Sequence, residues 1–393
     1  MLGRRCAAWV LLGSVLLVIL SGWGWWQYHY RAALEAMNRF QFERAQGHLD
    51  KCLRLWPRSV SINLLAARLA RLSGNYELAR EHIFAAEKWG GVNPATAFER
   101  TLQKAQRGDL KEVESFLLEL LKKGDARDRE ILDALVLGYT IVGRWAEALH
   151  CANILLEKEP DHPKALFCRA TVYENEGQNG RAIEDLRQAI KINPHDDDIR
   201  FYLASLLAKA GQIREAVAYL ELLRRRKPND PLVVVELARC QFDLHQREVA
   251  GNLLDALLSE KPNCVAALVE RSRLALHLGS IDEAEGWGRK AVHLDSHDRE
   301  AHQVLCASLE ASSKVEEAAQ FRTRLNAIEI NEQRIAFLTD EMNKSPSDLA
   351  VRYKLGMELI KQGRKEMARN MFISILRIDP SNQDAAKAMT EAL

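Results

Sequence analysis

Several features that mark particular protein classes are scarce in this chain of 393 residues. The 55 basic and 54 acidic side chains leave a net charge of only +1, so no excess of cations is present to neutralise nucleic-acid phosphates, and no nucleic-acid partner is expected. Seven cysteines are too few for a disulfide scaffold, and 10 prolines with 21 glycines exclude collagen-like and low-complexity chains. The length fits two or three ordinary domains, or one long array of repeats.

Catalytic motifs are missing as well. The sequence contains no GxxxxGKS/T phosphate loop, no HExxH metal helix, no GxSxG nucleophile turn and no CxxC pair. We therefore do not expect an enzyme, and the sequence predicts no catalytic residue, no cofactor site and no metal site.

An apolar segment is present at the N-terminus. Ala7–Trp26 contains twenty residues without a charged side chain, which is the length a helix needs to cross a bilayer, and tryptophans and tyrosines follow it. The sequence predicts a short basic N-terminus over residues 1–6 and an uncleaved transmembrane signal anchor over residues 7–27, with a cleaved signal peptide as the alternative. Basic residues flank both ends of the run. A short basic start is typical of an anchor in the cytoplasmic (inner) membrane, crossing it once and leaving the following chain on the non-cytoplasmic side.

After this segment the chain repeats every 34 residues. The repeating prolines are Pro160, Pro194, Pro228 and Pro262, with Pro346 and Pro380 after a break. A second series consists of small residues, which lie twelve positions before the proline position of each repeat. Its members are Ala45, Ala79, Ala148, Ala182, Ala216, Ala250, Ala284, Ala318 and Ala368, with Val113 as the exception. Turn residues form a third series: Gly74, Gly108, Gly143, Gly177, Gly211, Gly279 and Gly363, with His245 and Ser313 as substitutes.

This pattern predicts a helix–turn–helix unit. The glycine permits a tight turn between two antiparallel helices, and the alanine allows those helices to cross closely. The proline ends the second helix, because it cannot donate an interior helical hydrogen bond.

The 34-residue period with Tyr139, Gly143, Ala148 and Pro160 resembles the tetratricopeptide repeat (TPR) family, in a membrane-anchored bacterial form. The resemblance implies an all-α, right-handed α-solenoid over residues 28–393, preceded by the one transmembrane helix. We count about ten units, each a pair of helices that stacks on its neighbours. Their predicted starts are Trp26, Val60, Pro94, Arg129, Pro163, Asp197, Pro231, Val265, Arg299 and Leu349.

One break interrupts the register, because Ser296 and Pro346 are 50 residues apart instead of 34. The excess of 16 residues predicts one extended helix near 315–343, and a capping helix is predicted over 384–393. An apolar stripe on the extended helix either packs on its own neighbouring unit or forms a dimer surface. The stripe consists of Leu325, Ile328, Ile335, Leu338 and Met342.

The resemblance also implies where partners bind, since the fifth and ninth residues of TPR units point into a concave groove. Phe167 and Phe201, one repeat apart, are expected to lie near each other there, and the pairs Glu236–Arg239 and Glu270–Arg273 recur. The lysine and asparagine pattern that clamps a terminal carboxylate in chaperone-binding members is missing from this chain. The predicted groove residues are Arg68, Phe98, Phe167, Phe201, Val235, Arg239, Val269, Arg273 and Tyr353.

The polar clusters have ordinary structural interpretations beside functional ones. Metal binding is an alternative for the group around Ser296, although polar residues in a loop between repeats normally cap helices. The cysteines beyond the anchor fit small apolar core positions better than redox chemistry. The histidines and aspartates of this group are His293, Asp295, His297, Asp298 and His302.

Together these features predict a non-catalytic, membrane-anchored scaffold. Its partners are expected to be extended or helical segments of other proteins, in envelope assembly, export or a chaperone-like adaptor role. The alternative is a structural protein that self-associates into homo-oligomers through the extended helix and the ends of the array.

Overall fold

The computed structural model describes residues 24–124, 127–345 and 348–391, and within these ranges it contains helices and turns but no strand. The all-α helical-repeat fold is therefore confirmed. The first helix, α1, covers residues 24–38. The helices that follow are α2 (Phe42–Leu55), α3 (Val60–Leu72), α4 (Tyr76–Gly90), α5 (Pro94–Gln106), α6 (Glu114–Lys122), α7 (Asp128–Ile141), α8 (Trp145–Lys158), α9 (Pro163–Asn175), α10 (Asn179–Ile192), α11 (Asp197–Lys209), α12 (Ile213–Arg226), α13 (Pro231–Asp243), α14 (Arg247–Glu260), α15 (Val265–His277), α16 (Ile281–Leu294), α17 (Arg299–Ala311), α18 (Val315–Lys344), α19 (Leu349–Lys361), α20 (Lys365–Ile378) and α21 (Gln383–Glu391).

The helices belong to two compact units. The first unit is Met1–Arg169 and the second is Ala170–Leu393, so the division falls within α9. In the described part of the chain, no helix is both long enough and apolar enough to cross a bilayer. Of the anchor predicted over residues 7–27, residues 7–23 lie outside the described part of the chain.

Each odd-numbered helix from α3 to α19 is the first helix of a repeat and begins at, or one residue from, a predicted unit start. In seven of these repeats the first helix packs against the second helix that follows it; the pairs are α3 with α4, α7 with α8, α11 with α12, α13 with α14, α15 with α16, α17 with α18 and α19 with α20. First helices of neighbouring repeats also touch one another: α3 touches α5 and α5 touches α7 in the first unit, and α11, α13, α15 and α17 touch in sequence in the second. The repeated alanines lie where the helices of a pair cross, and all of them are at most 3% exposed. A larger side chain at these positions would push the two helices apart.

The turns within the repeats adopt the left-handed backbone conformation. The glycines of the turn series have positive φ, for example 77° at Gly211. His245 and Ser313, which replace glycine in this series, have φ values of 62° and 61°. The turn geometry is therefore kept where glycine is not, at a cost in backbone strain.

The third repeat departs from the pattern. Val113 stands where the other repeats have alanine, and it precedes the second helix instead of lying within it. That helix, α6, has only 9 residues, whereas the second helices α8 and α10 have 14 each. Val113 itself is 6% exposed, so it is buried although it lies outside the helix.

The long helix α18 has 30 residues and lies where the break in the register predicts extra helix. Ile328 and Leu338 on its apolar stripe are 8% and 5% exposed. Leu338, with Ile335 and Met342, packs into a core shared with α19, α20 and α21. This part of the stripe is therefore covered by the chain's own neighbouring helices.

Candidate functional site

Two predicted groove residues of the first unit, Arg68 and Phe98, already have partners inside that unit. Arg68 on α3 places Nη2 2.9 Å from Oε1 of Glu130 on α7. Phe98 on α5 is only 8% exposed, and the guanidinium carbon of Arg127 lies 4.0 Å from its ring centroid. Phe167, on α9, is partly buried. Phe98 therefore belongs to the interior of the first unit, whereas Arg68 and Phe167 keep part of their surface exposed.

Two contacts also join distant repeats within the first unit. The ring of Phe40, in the turn between α1 and α2, lies 5.2 Å from the ring of His162, just before α9. Nζ of Lys164 donates to the carbonyl oxygen of Leu72 at 3.4 Å. The sequence pattern gives no sign of these contacts, because they join repeats that are far apart in the chain.

The first helices α13, α15 and α17 of the second unit carry a row of ion pairs, which we term the Arg–Glu ladder. Nε of Arg239 on α13 lies 2.7 Å from Oε1 of Glu270 on α15, and Nη2 lies 2.9 Å from Oε2 of Glu300 on α17. Arg273 lies 2.6 Å from Glu270 and 3.5 Å from Glu300. Both arginine side chains are more than a third exposed, at 36% and 38%. The ladder therefore fixes two guanidinium groups in position while part of each still faces water.

Glu236 lies at the start of the ladder. Burial raises the pKa of its carboxyl, and the Arg239 guanidinium 3.7 Å away acts in the opposite direction. The sequence predicted the recurring Glu–Arg pairs. It did not point to Glu300, which joins both arginines, because Glu300 lies four residues before the repeated position.

The other predicted groove residues of the second unit are less accessible than expected. Val235 and Val269 are 5% and 1% exposed, so they contribute to the core and offer no side-chain surface to a partner in this conformation. Phe201 is partly exposed. Tyr353 on α19 is partly buried, with its ring 5.8 Å from the ring of Phe372. The partial exposure of a fifth-position side chain thus depends on its neighbours and not on the repeat position alone.

A polar cleft of ≈ 370 Å³ opens where the long helix α18 separates the repeat of α17 from that of α19 and α20. Glu300 belongs both to this cleft and to the Arg–Glu ladder. The two features therefore form one continuous polar surface. The lining residues are Asp295, His297, Asp298, Arg299, Glu300, Glu332, Gln362, Gly363 and Arg364.

The carboxylates of the cleft are engaged by neighbouring groups. Asp295 and Asp298 accept backbone N–H groups at 2.9 and 2.6 Å, as turn and helix caps do. Glu332 faces Nε of Arg299 at 3.5 Å, and Glu300 is held by the ladder arginines. These acids therefore already have the donors that a carboxylate requires.

Two residues of the cleft are different. Gln362 is 7% exposed, yet neither Oε1 nor Nε2 has a hydrogen-bond partner among the described residues. Arg364, two residues later, is exposed, and no described carboxylate pairs with it. A buried amide normally satisfies both of its polar atoms. The wall of the cleft thus contains one buried amide without hydrogen bonds and one exposed cation without a counter-charge in the described part of the chain.

The metal alternative for the residues around Ser296 finds no support in the described ranges. They contain no group of three or more histidine, cysteine, aspartate or glutamate side chains placed to hold a metal ion. His302 is 1% exposed, and its Nδ1 lies 2.9 Å from the carbonyl oxygen of Asp298. That histidine is part of the core.

The six described cysteines have free thiols, and five of them are buried. Burial raises the pKa of Cys151 to about 11 and that of Cys168 to about 12. Because the thiolate is the reactive form, these two residues act as small core side chains.

Comparisons with known proteins agree with the helical-repeat fold. Sequence profiles of the tetratricopeptide repeat match residues 30–91, 175–240, 235–299 and 349–382, which together make up more than half of the chain. The chain is 24% identical over 173 residues to the tetratricopeptide repeat and J domain-containing co-chaperone DNJ1 of Fusarium oxysporum. It is also 24% identical over 247 residues to the TPR repeat-containing protein MJ1428 of Methanocaldococcus jannaschii. These matches cover 42% and 60% of the chain but only 33% and 40% of the relatives.

Similar solved structures include PilW, a type IV pilus biogenesis factor, at 20% identity and a TM-score of 0.45. Another is the pilF protein of Pseudomonas aeruginosa, at 17% identity and a TM-score of 0.43. Each match covers 51% of this chain and 92% of the solved chain. Similarity at this level carries no information about function.

Proposed function

Because the chain belongs to the tetratricopeptide repeat family, whose members bind other proteins and peptides, we propose that it is a membrane-anchored, non-catalytic scaffold that binds an extended segment of a partner protein in the polar cleft beside α18. The unpartnered amide of Gln362 is the observation that carries this proposal. The anchor is the apolar segment of residues 7–27, and the proposed location is the inner membrane with the repeats on its non-cytoplasmic side. The proposed role is in envelope assembly, export or chaperone-like adaptor work.

The chemistry of Gln362 favours a peptide backbone as the ligand. A buried amide without hydrogen bonds costs on the order of 1–3 kcal/mol. The side chain offers one acceptor and two donors, and a peptide group offers one donor and one acceptor in return. Because both atoms are buried in this conformation, the side chain of Gln362 must turn towards the cleft when the segment binds, and a peptide group would then satisfy both atoms of the amide.

Arg364 determines which side chain the segment carries. The carboxylates of the cleft already have donors, so Arg364 is the lining charge that still lacks a partner. A guanidinium pairs best with a carboxylate, through two parallel hydrogen bonds. The proposed ligand is therefore an extended peptide with an aspartate or glutamate side chain near the residue that contacts Gln362.

The test is a selection from a displayed library of random peptides on the full chain in nanodiscs, with empty nanodiscs as counter-selection. An enriched acidic peptide is then titrated against wild type, Gln362→Leu and Arg364→Ala. We expect each substitution to weaken binding about tenfold or more, since each removes a hydrogen-bonding group whose loss is worth about 1.4 kcal/mol or more. Arg247→Ala is the matched control, because Arg247 is an exposed arginine at the start of another second helix, α14.

A double-mutant cycle identifies the contact. Replacing the peptide's acidic residue by its amide should cost as much as Arg364→Ala, and the two changes together should cost no more than either alone. Equal affinity for all variants, with their helix content unchanged by circular dichroism, would show that the cleft is not the site.

A second candidate function is self-association through α18. Ile330 and Phe337 lie seven residues apart, on one side of this helix, and are 65% and 59% exposed. A pair of exposed large apolar side chains two turns apart is suited to contact with another helix. If the chain self-associates this way, Ile330→Glu with Phe337→Glu lowers the mass measured by light scattering in detergent. A mass of one chain for wild type excludes this candidate.

A further inference from the structure

Exposed aromatic residues form a continuous strip along one edge of the first unit, which we term the aromatic edge. It consists of the exposed residues Trp25 and Tyr28 on α1 and Trp89 in the last turn of α4, together with Trp56 after α2, which is partly buried. The rings of Trp25 and Trp56 are 6.1 Å apart. The guanidinium of Arg58, two residues after Trp56, lies 4.5 Å from the Trp89 ring. Trp25, Tyr28 and Trp89 are 37%, 65% and 45% exposed.

Packing holds these residues at the same edge. Trp56 and Arg58 lie in the connection from α2 to α3, and Trp89 lies beside the start of α3. Gly90 fits so closely there that a Cβ atom on it would lie 2.6 Å from Cγ2 of Val60. The first described turn of α1, the start of α3 and the ends of α2 and α4 therefore lie at one level. Two further exposed apolar side chains, Leu55 and Val92, extend this edge, at 59% and 77% exposure.

Cations without counter-charges accompany the aromatic rings. Arg54, Arg58 and Lys88 are exposed or partly exposed, and no carboxylate in the described ranges pairs with them. Lys88 Nζ lies 5.5 Å from the Trp89 ring. Tryptophan and tyrosine rings flanked by lysine and arginine favour the headgroup layer of a bilayer, where the ring is half apolar and the cation meets lipid phosphate.

We infer that the aromatic edge lies in the headgroup layer of an anionic membrane, so that the first unit rests against the bilayer. The inference rests on the anchor in the proposed function. The apolar run ends at Trp26, so a chain leaving the membrane there places Trp25 near the headgroups. The Trp56 ring lies 6.1 Å from that of Trp25, and Arg58, two residues after Trp56, lies over the Trp89 ring, so we place these residues near the depth of Trp25. The far ends of α3 and α5 then point away from the bilayer.

The experiment uses the full chain in nanodiscs of mixed phosphatidylcholine and phosphatidylglycerol. A nitroxide label is attached to the cysteine of Val92→Cys or Asp109→Cys. The signal from label on the native cysteines is measured on the unsubstituted protein and subtracted. Asp109 is the control because it follows the other end of α5, about 20 Å along the helix axis from residue 92. Collisions with oxygen, which partitions into lipid, are compared with collisions with a water-soluble nickel chelate.

We expect the label at position 92 to collide preferentially with oxygen and the label at position 109 with the nickel chelate. Charge reversal by Arg58→Glu with Lys88→Glu should shift position 92 towards the aqueous pattern, and high salt should act in the same direction. A water-exposed label at position 92 in wild type would overturn the inference. A label at position 92 shielded from both reagents would also overturn it, because that pattern indicates a protein contact.

Flotation of the same protein with vesicles separates this inference from the anchor. If the chain floats and the label at position 92 is in water, the anchor is supported and the membrane contact of the aromatic edge is contradicted. If the chain does not float, both the proposed anchor and the inference that rests on it are contradicted.

Discussion

Arg71 on α3 and Glu99 on α5 form an ion pair inside the first unit, with the arginine side chain 0% and the glutamate side chain 8% exposed. Both residues belong to first helices, one repeat apart. Nearby, Nε2 of Gln106 donates to Oδ2 of Asp133 at 3.0 Å, so polar contacts link α3, α5 and α7. The interior of the first unit is held by these polar contacts as well as by apolar packing.

We predict that Glu99→Gln destabilises the chain by about 3–5 kcal/mol, because it leaves a buried guanidinium without its counter-charge. Urea unfolding followed by circular dichroism measures the change. Glu119→Gln is the control, since Glu119 and its partner Lys123 are 63% and 67% exposed. That substitution should cost less than about 1 kcal/mol. Equal effects of the two substitutions would contradict the structural role assigned to the buried pair.

Two glycines of the first unit should respond to alanine in opposite ways. Gly47 lies inside α2, and an added Cβ would meet no atom within 4 Å, so Gly47→Ala should stabilise by about 0.5–1 kcal/mol. Gly138 lies on α7, where an added Cβ would be 2.2 Å from the carbonyl oxygen of Ala105. Gly138→Ala should destabilise by about 1–3 kcal/mol, because backbone atoms cannot move aside as a side chain can. Thermal denaturation of both variants is the measurement, and a stabilising Gly138→Ala would refute the close approach of α5 and α7.

The turn residue His245 should be improved by glycine. At φ 62° a side chain costs about 1–2 kcal/mol, more than the entropy that glycine adds to the unfolded chain. His245→Gly should therefore raise the free energy of unfolding by up to about 1 kcal/mol. Gly211→Ala is the reciprocal test, because Gly211 has φ 77° with open space around it, so any loss comes from backbone strain alone. A gain in stability from Gly211→Ala would be inconsistent with this turn geometry.

Acid should loosen the first repeat through His29 and His48. Their Nδ1 atoms lie 2.7 Å apart, so one ring donates to the other, and this requires one nitrogen without a proton. Burial lowers the pKa of both, and neighbouring Lys51 adds to the effect. The unfolded chain therefore takes up protons at a higher pH than the folded chain does. Stability is unaffected well above about pH 6.5 and falls as the pH drops below it.

Hydrogen exchange of α1 and α2, corrected for intrinsic rates, measures this effect at neutral and acidic pH. His48→Gln should reduce the dependence on pH, because the amide can hydrogen-bond but does not titrate. His150→Gln, at an exposed histidine on α8, should leave it unchanged. Protection of α1 and α2 that is the same at both pH values in wild type would contradict the prediction.

The starts of the repeats could be read from the sequence because proline, alanine and glycine act locally. A proline ends a helix, and an alanine at a crossing is buried, whatever the rest of the chain does. The exposure of Val235 and Val269 could not be read in this way, since it depends on the size of side chains on adjacent helices. Contacts such as Phe40 with His162 depend on how several repeats wind together. That winding accumulates small rotations that no single repeat encodes.

The extra turns of α18 have a consequence for how this protein could change its specificity. Thirty residues of helix span about 45 Å, against about 21 Å for a second helix of 14 residues. This added length brings Gln362 and Arg364 to the loop around Asp298, which a uniform array would place elsewhere. Insertions or deletions in α18 would thus remake or abolish the cleft while every lining residue stays the same. If the cleft binds the proposed peptide, the length of α18 would alter that binding without the replacement of any lining residue.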